Sequence, residues 1–250
     1  MASIVTGRRA GPKPPLLPPA CHPFRRRLLA WYARHRRRLP WRGVRDPYAV
    51  LVSEIMLQQT QVARVTEFYP RFLARYPTLE DLAAAPADAV RESWDGLGYY
   101  ARARNLHAAA REVVKRLGGR LPGRPEELRV LPGIGRYTAG AVASLAFGAD
   151  VPAVDTNAAR VLARAFGIRG RRKSARRERR VWALAAALVP RGRAAEWNQA
   201  LMDLGATYCV ARAPRCRDCP VRRSCATGRT GADRRRMLPP AEKATRRPRG

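Results

Sequence analysis

Residues 131–143 read LPGIGRYTAGAVA, a stretch in which one helical pattern gives way to another through a turn carrying Gly133 and Gly135. Glycine permits positive φ and lets a backbone come close to a second object. A helix that opens directly after such a turn presents free N–H groups and the positive end of its dipole, a ready seat for an anion. If the anion is a phosphate of a nucleic-acid backbone, the grip is independent of base sequence. The plain alternative is an ordinary helix–helix connection. Tyr137 falls in the first turn of the second helix, where a nucleophile could stand.

The flanks are helical nearly throughout. Residues 46–77 hold one long helix or two, and 78–98 open with Thr78 and, three residues on, Asp81, a capping-box pattern. Residues 100–119 end in Gly-Gly, a natural helix stop, and helices follow over 125–148, 155–167, and the stretches VWALAAALVP and AAEWNQALMDLGATYC. The charge run RGRRKSARRERR (169–180) reads as a solvated loop or helix face. No alternating strand pattern of useful length is present, so the expected fold is all-α. Residues 1–23 form a Pro-rich basic arm and 228–250 a basic tail, both expected to be disordered. The first 45 residues lack acids, as transit peptides do, but GPKPPLLPPACHP is too rich in proline for an amphipathic presequence.

The chain has 250 residues, enough for one large or two small cores, and no apolar run long enough to span a membrane. Its formal charge is +31, from 50 Lys+Arg against 19 Asp+Glu, which favours a polyanionic partner, above all nucleic acid. Nearly all the basic residues are arginine and alanine is abundant, which fits a GC-rich genome. The expected setting is the cytoplasm of a bacterium with such a genome, in association with its nucleoid, with the chain acting as a monomer. Four of five cysteines, Cys209, Cys216, Cys219 and Cys225, lie within 17 residues. No secretory signal is expected ahead of them, so a metal site is favoured over disulfides. Four thiolates at this spacing suit either zinc or an iron–sulfur cluster. Cys21 is left over.

Glu54 stands inside AVLVSEIML, a run otherwise almost apolar. Burial raises a carboxyl's pKa and makes it a proton donor near neutrality; an exposed helix-face glutamate is the alternative. Asp155, before TNAARVLAR, is well placed to cap a helix.

Several motifs carry a family resemblance. LPGIGRYTAGA resembles the helix-hairpin-helix of a DNA glycosylase superfamily, as does FGADVPAVDTNAARVLAR (147–164), which sets Asp155 eighteen residues after Tyr137. The cysteine pattern C-x6-C-x2-C-x5-C matches the [4Fe–4S] loop of endonuclease III and the MutY-type enzymes. LPWRGVRDPYAVLVSEIMLQQTQV (39–62) and GLGYYARARNLH (96–107) resemble the MutY family of adenine DNA glycosylases. The chain is identified as a member of that family over about Leu39 to Cys225.

The resemblance implies a two-lobed helix-hairpin-helix fold. A six-helix lobe would cover 46–154, and a cluster-bearing lobe would combine 24–45 with 155–227. It implies hydrolytic removal of adenine mispaired with 8-oxoguanine or guanine in double-stranded DNA. Glu54 would protonate adenine at N7, Asp155 would stabilise the oxocarbenium-like sugar, as the carboxylate pair of a glycosidase does, and Asn157 would stand beside it. Strand-cutting relatives carry a lysine, which forms a Schiff base, where this chain has Tyr137; the tyrosine implies base removal alone. The target adenine would flip out of the duplex, and Gln59 and Tyr99 would wedge in around the base opposite it, with Gln58 and Tyr100 beside them to share the task. Trp41 and Arg42 would edge the adenine pocket, Gly133 and Gly135 would grip phosphate, and the four cysteines would hold the [4Fe–4S] cluster. Typical members continue into a C-terminal domain that reads 8-oxoguanine, beyond where this sequence stops, so strict recognition of the oxidised base is not expected. Two rivals stand beside this: a thymine or uracil mismatch glycosylase of the same superfamily, and a non-enzymatic sensor of distorted DNA.

Overall fold

The computed structural model describes residues 21–171 and 174–230, and the expectations for 1–20 and 231–250 lie outside them. The described residues are helices and turns without a strand: α1 (Cys21–His35), α2 (Pro47–Met56), α3 (Val62–Arg75), α4 (Leu79–Ala84), α5 (Ala87–Glu92), α6 (Ala101–Leu117), α7 (Pro125–Leu128), α8 (Arg136–Leu145), α9 (Thr156–Ala165), α10 (Ala175–Leu188), α11 (Ala194–Thr207) and α12 (Ala226–Thr230). No helix among them is long and apolar enough to cross a membrane.

The helix ends are set by local chemistry. Asp46 caps α2 by accepting the Ala49 N–H at 2.8 Å, and Pro47, whose missing N–H costs nothing there, follows at the first helical position. Thr78 and Asp81 close a reciprocal capping box on α4, and α6 stops at Gly118 with φ +59°. Pro86 divides the 78–98 stretch into α4 and α5, so residues 46–154 hold seven helical segments where six were expected. At the termini, α1 takes in residues 21–23 of the expected arm, because a proline at 23 still lies in the first helical turn. Residues 228–230 of the expected tail belong to α12, where Thr227 Oγ1 donates to the Arg164 carbonyl at 2.8 Å.

Two hydrophobic cores result. The first surrounds α2, which is buried on every side, and gathers Phe72, Trp94, Leu106, Leu128 and Val142. The second joins α1 to α9, α10 and α11 through Phe24, Leu28, Leu162, Trp182 and Trp197. Trp41 lies outside its expected 24–45 grouping. Its indole stacks edge-on against Tyr69 at 5.6 Å, and it belongs to the first core.

The chain crosses between the cores at 146–155. The buried Asn198 of α11 fastens that crossing, donating to Ser144 Oγ (2.9 Å) and the Val151 carbonyl (3.0 Å) and accepting the Ala153 N–H (3.0 Å). Gly140 of α8 lets it lie close: a Cβ there would sit 2.3 Å from the Pro152 carbonyl oxygen. Asp155 lies at the end of this strap, at the start of α9.

Candidate active site

Glu54 occupies the middle of α2, and its burial follows from a helix with apolar neighbours on all faces. Only 4% of it is exposed. α8 packs across α2 and brings Tyr137, whose hydroxyl donates to Glu54 Oε2 at 2.6 Å. Burial pushes the Glu54 carboxyl up to about 7, with the nearby Asp155 adding to the rise and the Tyr137 hydroxyl and Arg42 opposing it. Burial, then the Glu54 and Asp155 charges, carry the Tyr137 phenol well above its ordinary range, so it stays a donor.

Asp155 is the N-cap of α9, one oxygen accepting the Ala158 N–H at 2.6 Å and the other the Asn157 amide at 3.0 Å. Burial raises its pKa, opposed by those N–H donors and by Arg160. Arg160 in turn donates to Asn157 Oδ1 (2.6 Å) and the carbonyls of Gly205 (2.8 Å) and Cys209 (2.6 Å). Asn157 presses against Gly205, where a Cβ would meet its own at 2.6 Å. Glu54, Tyr137, Asp155 and Asn157 thus form one group at the junction of the two cores.

Other expected site residues stand around it. Gln58 donates from its amide to Thr138 Oγ1 at 3.3 Å. Gln59 and Tyr99 are exposed and both left-handed, with φ 58° and 49°. Gly133 has φ +74°, and a Cβ there would meet Asn105 Cβ at 2.6 Å. Gly135 differs: its φ is −82°, a Cβ would meet open space, and it serves as the N-cap of α8 with no side chain capping the helix. The first-turn N–H groups of α8 therefore face outward beside an exposed backbone. Arg42 reaches Asp203 at 3.0 Å and lines a cavity of about 460 Å³ with Tyr32, Arg37, Leu39 and Gln199. Trp41, Glu54 and Asp155 do not line that cavity.

The four clustered cysteines are free thiols. Cys209 follows α11, Cys225 precedes α12, and Cys209, Cys219 and Cys225 pack against the second core. Burial pushes the Cys219 thiol up to about 12, and the charges of Cys209, Cys225 and Cys216 add to the rise. Arg164 donates toward Cys209 Sγ at 3.5 Å and the Gly228 N–H toward Cys225 Sγ at 3.3 Å. No group of three or more His, Cys, Asp or Glu among the described residues is drawn together as a site for a metal ion. The donor set nevertheless fits a group held by four thiolates: the thiols are unoxidised, mutually close enough to interact, and met by N–H donors that favour sulfur anions.

Sequence reasoning misses Asp203, fully buried between Arg37 and Arg42, although a lone carboxylate in ALMDLGA is the same signal that marks Glu54. It also misses Arg102 and Arg160, which nothing local separates from the other arginines.

Among the described residues these features define an all-helical protein with a glycine-built hairpin beside a buried glutamate and a part-buried aspartate. Residues 52–186 match the family model described as HhH-GPD superfamily base excision DNA repair protein, and the chain belongs to that superfamily. It is 47% identical over 226 residues to an adenine DNA glycosylase of Rattus norvegicus, covering 86% of this chain and 44% of that protein. It is 38% identical over 206 residues to a thymine-DNA glycosylase of Aeropyrum pernix, covering 81% of this chain and 92% of that one. The solved structure of a thermostable thymine-DNA glycosylase superposes with a TM-score of 0.78 at 34% identity, covering 84% of this chain and 97% of that chain. The chain thus spans under half the length of the rat relative.

Proposed function

We propose that this protein removes adenine from mispairs with 8-oxoguanine or guanine in double-stranded DNA, hydrolysing the N-glycosidic bond and leaving the strand intact. The observation that carries this is the Glu54 carboxyl, buried, held by the Tyr137 hydroxyl at 2.6 Å and raised to about 7. Near neutrality such a group holds a proton it can give up, which is what a purine leaving group needs at N7. Proton transfer from Glu54 to the base lets the bond to the sugar break. The carboxylate of Asp155, aimed by Ala158 and Asn157, stabilises the resulting cation, and water completes the hydrolysis. Tyr137 offers no amine, so no imine forms and the abasic strand stays whole.

In this reading Gly133 and Gly135 with the open end of α8 take a backbone phosphate, Gln59 and Tyr99 enter the duplex, and Trp41 and Arg42 flank the base pocket. Cys209, Cys216, Cys219 and Cys225 hold a [4Fe–4S] cluster, whose role when bound is structural. The similarity to thymine-DNA glycosylases, one of them matched over 92% of its length, supports a second reading in which the same site releases mismatched thymine. A protein that only senses distorted DNA has no use for a buried acid facing a second, part-buried carboxylate. Single-turnover excision assays decide the matter, on duplexes with adenine opposite 8-oxoguanine, guanine, cytosine or thymine and with thymine opposite guanine. Release of adenine opposite 8-oxoguanine and guanine is expected. Release of thymine alone would replace the first reading with the second, and no release from any duplex would leave the sensor.

A further inference from the structure

Arg102 sits in the first turn of α6, 7% exposed, and its partners are carbonyls rather than carboxylates. One Nη donates to the carbonyls of Ile55 (3.0 Å), Met56 (2.6 Å) and Gln58 (2.6 Å). The other donates to Thr60 Oγ1 (2.9 Å) and the carbonyls of Leu97 (3.2 Å) and Gly98 (3.0 Å). The guanidinium also lies over the rings of Trp94 (5.6 Å) and Tyr99 (5.5 Å). One buried cation therefore joins the C-terminal end of α2, the turn at 57–60 and the turn at 96–99.

Those two turns hold Gln59 and Tyr99, two of the three non-glycine residues with positive φ among the described residues; the third, Ala213, lies in the cysteine loop. Left-handed backbone at a non-glycine residue is uncommon and persists only where the surroundings impose it. Arg102 binds the residues on either side of Gln59 and the two that precede Tyr99. The carbonyls of Ile55 and Met56 immediately follow Glu54, so the same side chain connects the acid-bearing helix to both exposed turns.

We propose that Arg102 is a positioning residue that locks the Gln59 and Tyr99 turns into one rigid double wedge, set in register with Glu54. This rests on the reading of Gln59 and Tyr99 as residues that enter the duplex. A planar fork with five donors spans two turns, whereas a lysine ammonium is a point charge that reaches one.

The test uses a duplex with 2-aminopurine opposite a tetrahydrofuran abasic analogue, which reports unstacking by the wedge and requires no excision. The full chain should raise its fluorescence, and Arg102→Lys should lose most of that rise at saturating protein. Affinity for the duplex should stay within about threefold, since phosphate contacts dominate it. Single-turnover excision by Arg102→Lys should fall roughly 10²-fold, as expected of misplacement away from the chemistry. In a Gln59→Ala/Tyr99→Ala background Arg102→Lys should cost nothing further. An equal additional loss there would overturn the inference, because a merely structural arginine would act in either background. If Arg102→Lys does not melt cooperatively, Thr60→Val removes one bond and keeps the buried cation. A partial loss of the rise at an unchanged melting temperature is then expected, and an unchanged rise would overturn the clamp. A wild-type rise without adenine release would defeat the proposed activity and leave the clamp standing; no wild-type rise would defeat the wedge and the clamp together.

Discussion

At Glu54 the energetics of function and of folding point in opposite directions. A folded-state pKa of about 7 against an ordinary 4.5 means that the folded chain holds this proton more tightly than the unfolded chain does. The stability contributed by the site is complete below pH 4.5 and is lost as pH rises through about 7. Glu54→Gln keeps the shape and an acceptor for Tyr137 but never ionises. It should match the wild type in thermal stability at pH 4 and exceed it at pH 8 by up to about 3 kcal/mol, at 1.36 kcal/mol per pKa unit. Melting curves at the two pH values check this, and a difference that does not grow with pH would show that Glu54 is not the protonated group. Adenine excision by the same variant should fall at least ~10²-fold, with duplex binding retained. Wild-type excision should itself decline as pH climbs past about 7 and the acid is lost.

At the scale of the elements, the helix ends carry the site, and two substitutions separate capping from chemistry. Asp155 both caps α9 and faces the Glu54 pair. Asp155→Asn keeps an oxygen for the Ala158 N–H, gives up the acceptor that the Asn157 amide uses, and removes the charge. It should melt close to the wild type while losing excision by roughly 10²-fold or more. Asp155→Ala should add a stability loss of about 1 kcal/mol for the missing cap. Equal excision by Asp155→Asn and wild type would remove Asp155 from the reaction. The hairpin glycines divide in the same way. Gly133→Ala forces a Cβ into Asn105 at φ +74° and should lower the melting temperature, whereas Gly135→Ala meets open space and should leave folding alone while weakening binding to duplexes of any sequence. Anisotropy titrations on unrelated duplexes, paired with melting curves, distinguish the two effects. What is legible in the sequence follows this division. Thr78, Gly118 and Asp155 announce themselves because a cap is a contact between near neighbours, and Glu54 because one acid interrupts an apolar run. Arg102 and Arg160 do not, because the partners that give them their roles include residues as far off as Thr60 and Cys209, 42 and 49 positions away, and arginine is the commonplace residue of a chain with 50 Lys+Arg. Nor does Trp41, whose place in the first core depends on α3 folding back to offer Tyr69.

For the whole molecule, the open question of stability is how the second core is closed on its C-terminal side. Val221 is buried there and Cys209, Cys219 and Cys225 pack against it, but the segment between α11 and α12 is largely turn, held by Arg160 and Arg164 through backbone carbonyls. Four thiols ligated to one group would cross-link residues 209, 216, 219 and 225 and convert that segment into a rigid lid bearing Arg212, Arg215, Arg217, Arg222 and Arg223. A group bound only by the folded chain adds its binding free energy to stability. Protein prepared without oxygen should therefore be brown and carry about four irons per chain. Stripping the iron should lower the melting temperature by several degrees. It should also weaken duplex binding and flatten its salt dependence, because a loosened loop neutralises fewer phosphates and releases fewer counterions. Metal analysis, melting curves and binding at a series of salt concentrations, before and after stripping, make the comparison. One zinc and no iron would assign the thiolates to a different metal. An iron-free chain with the same melting temperature and the same salt slope would mean that the basic loop is held in place by Arg160, Arg164 and the packing of Val221 alone.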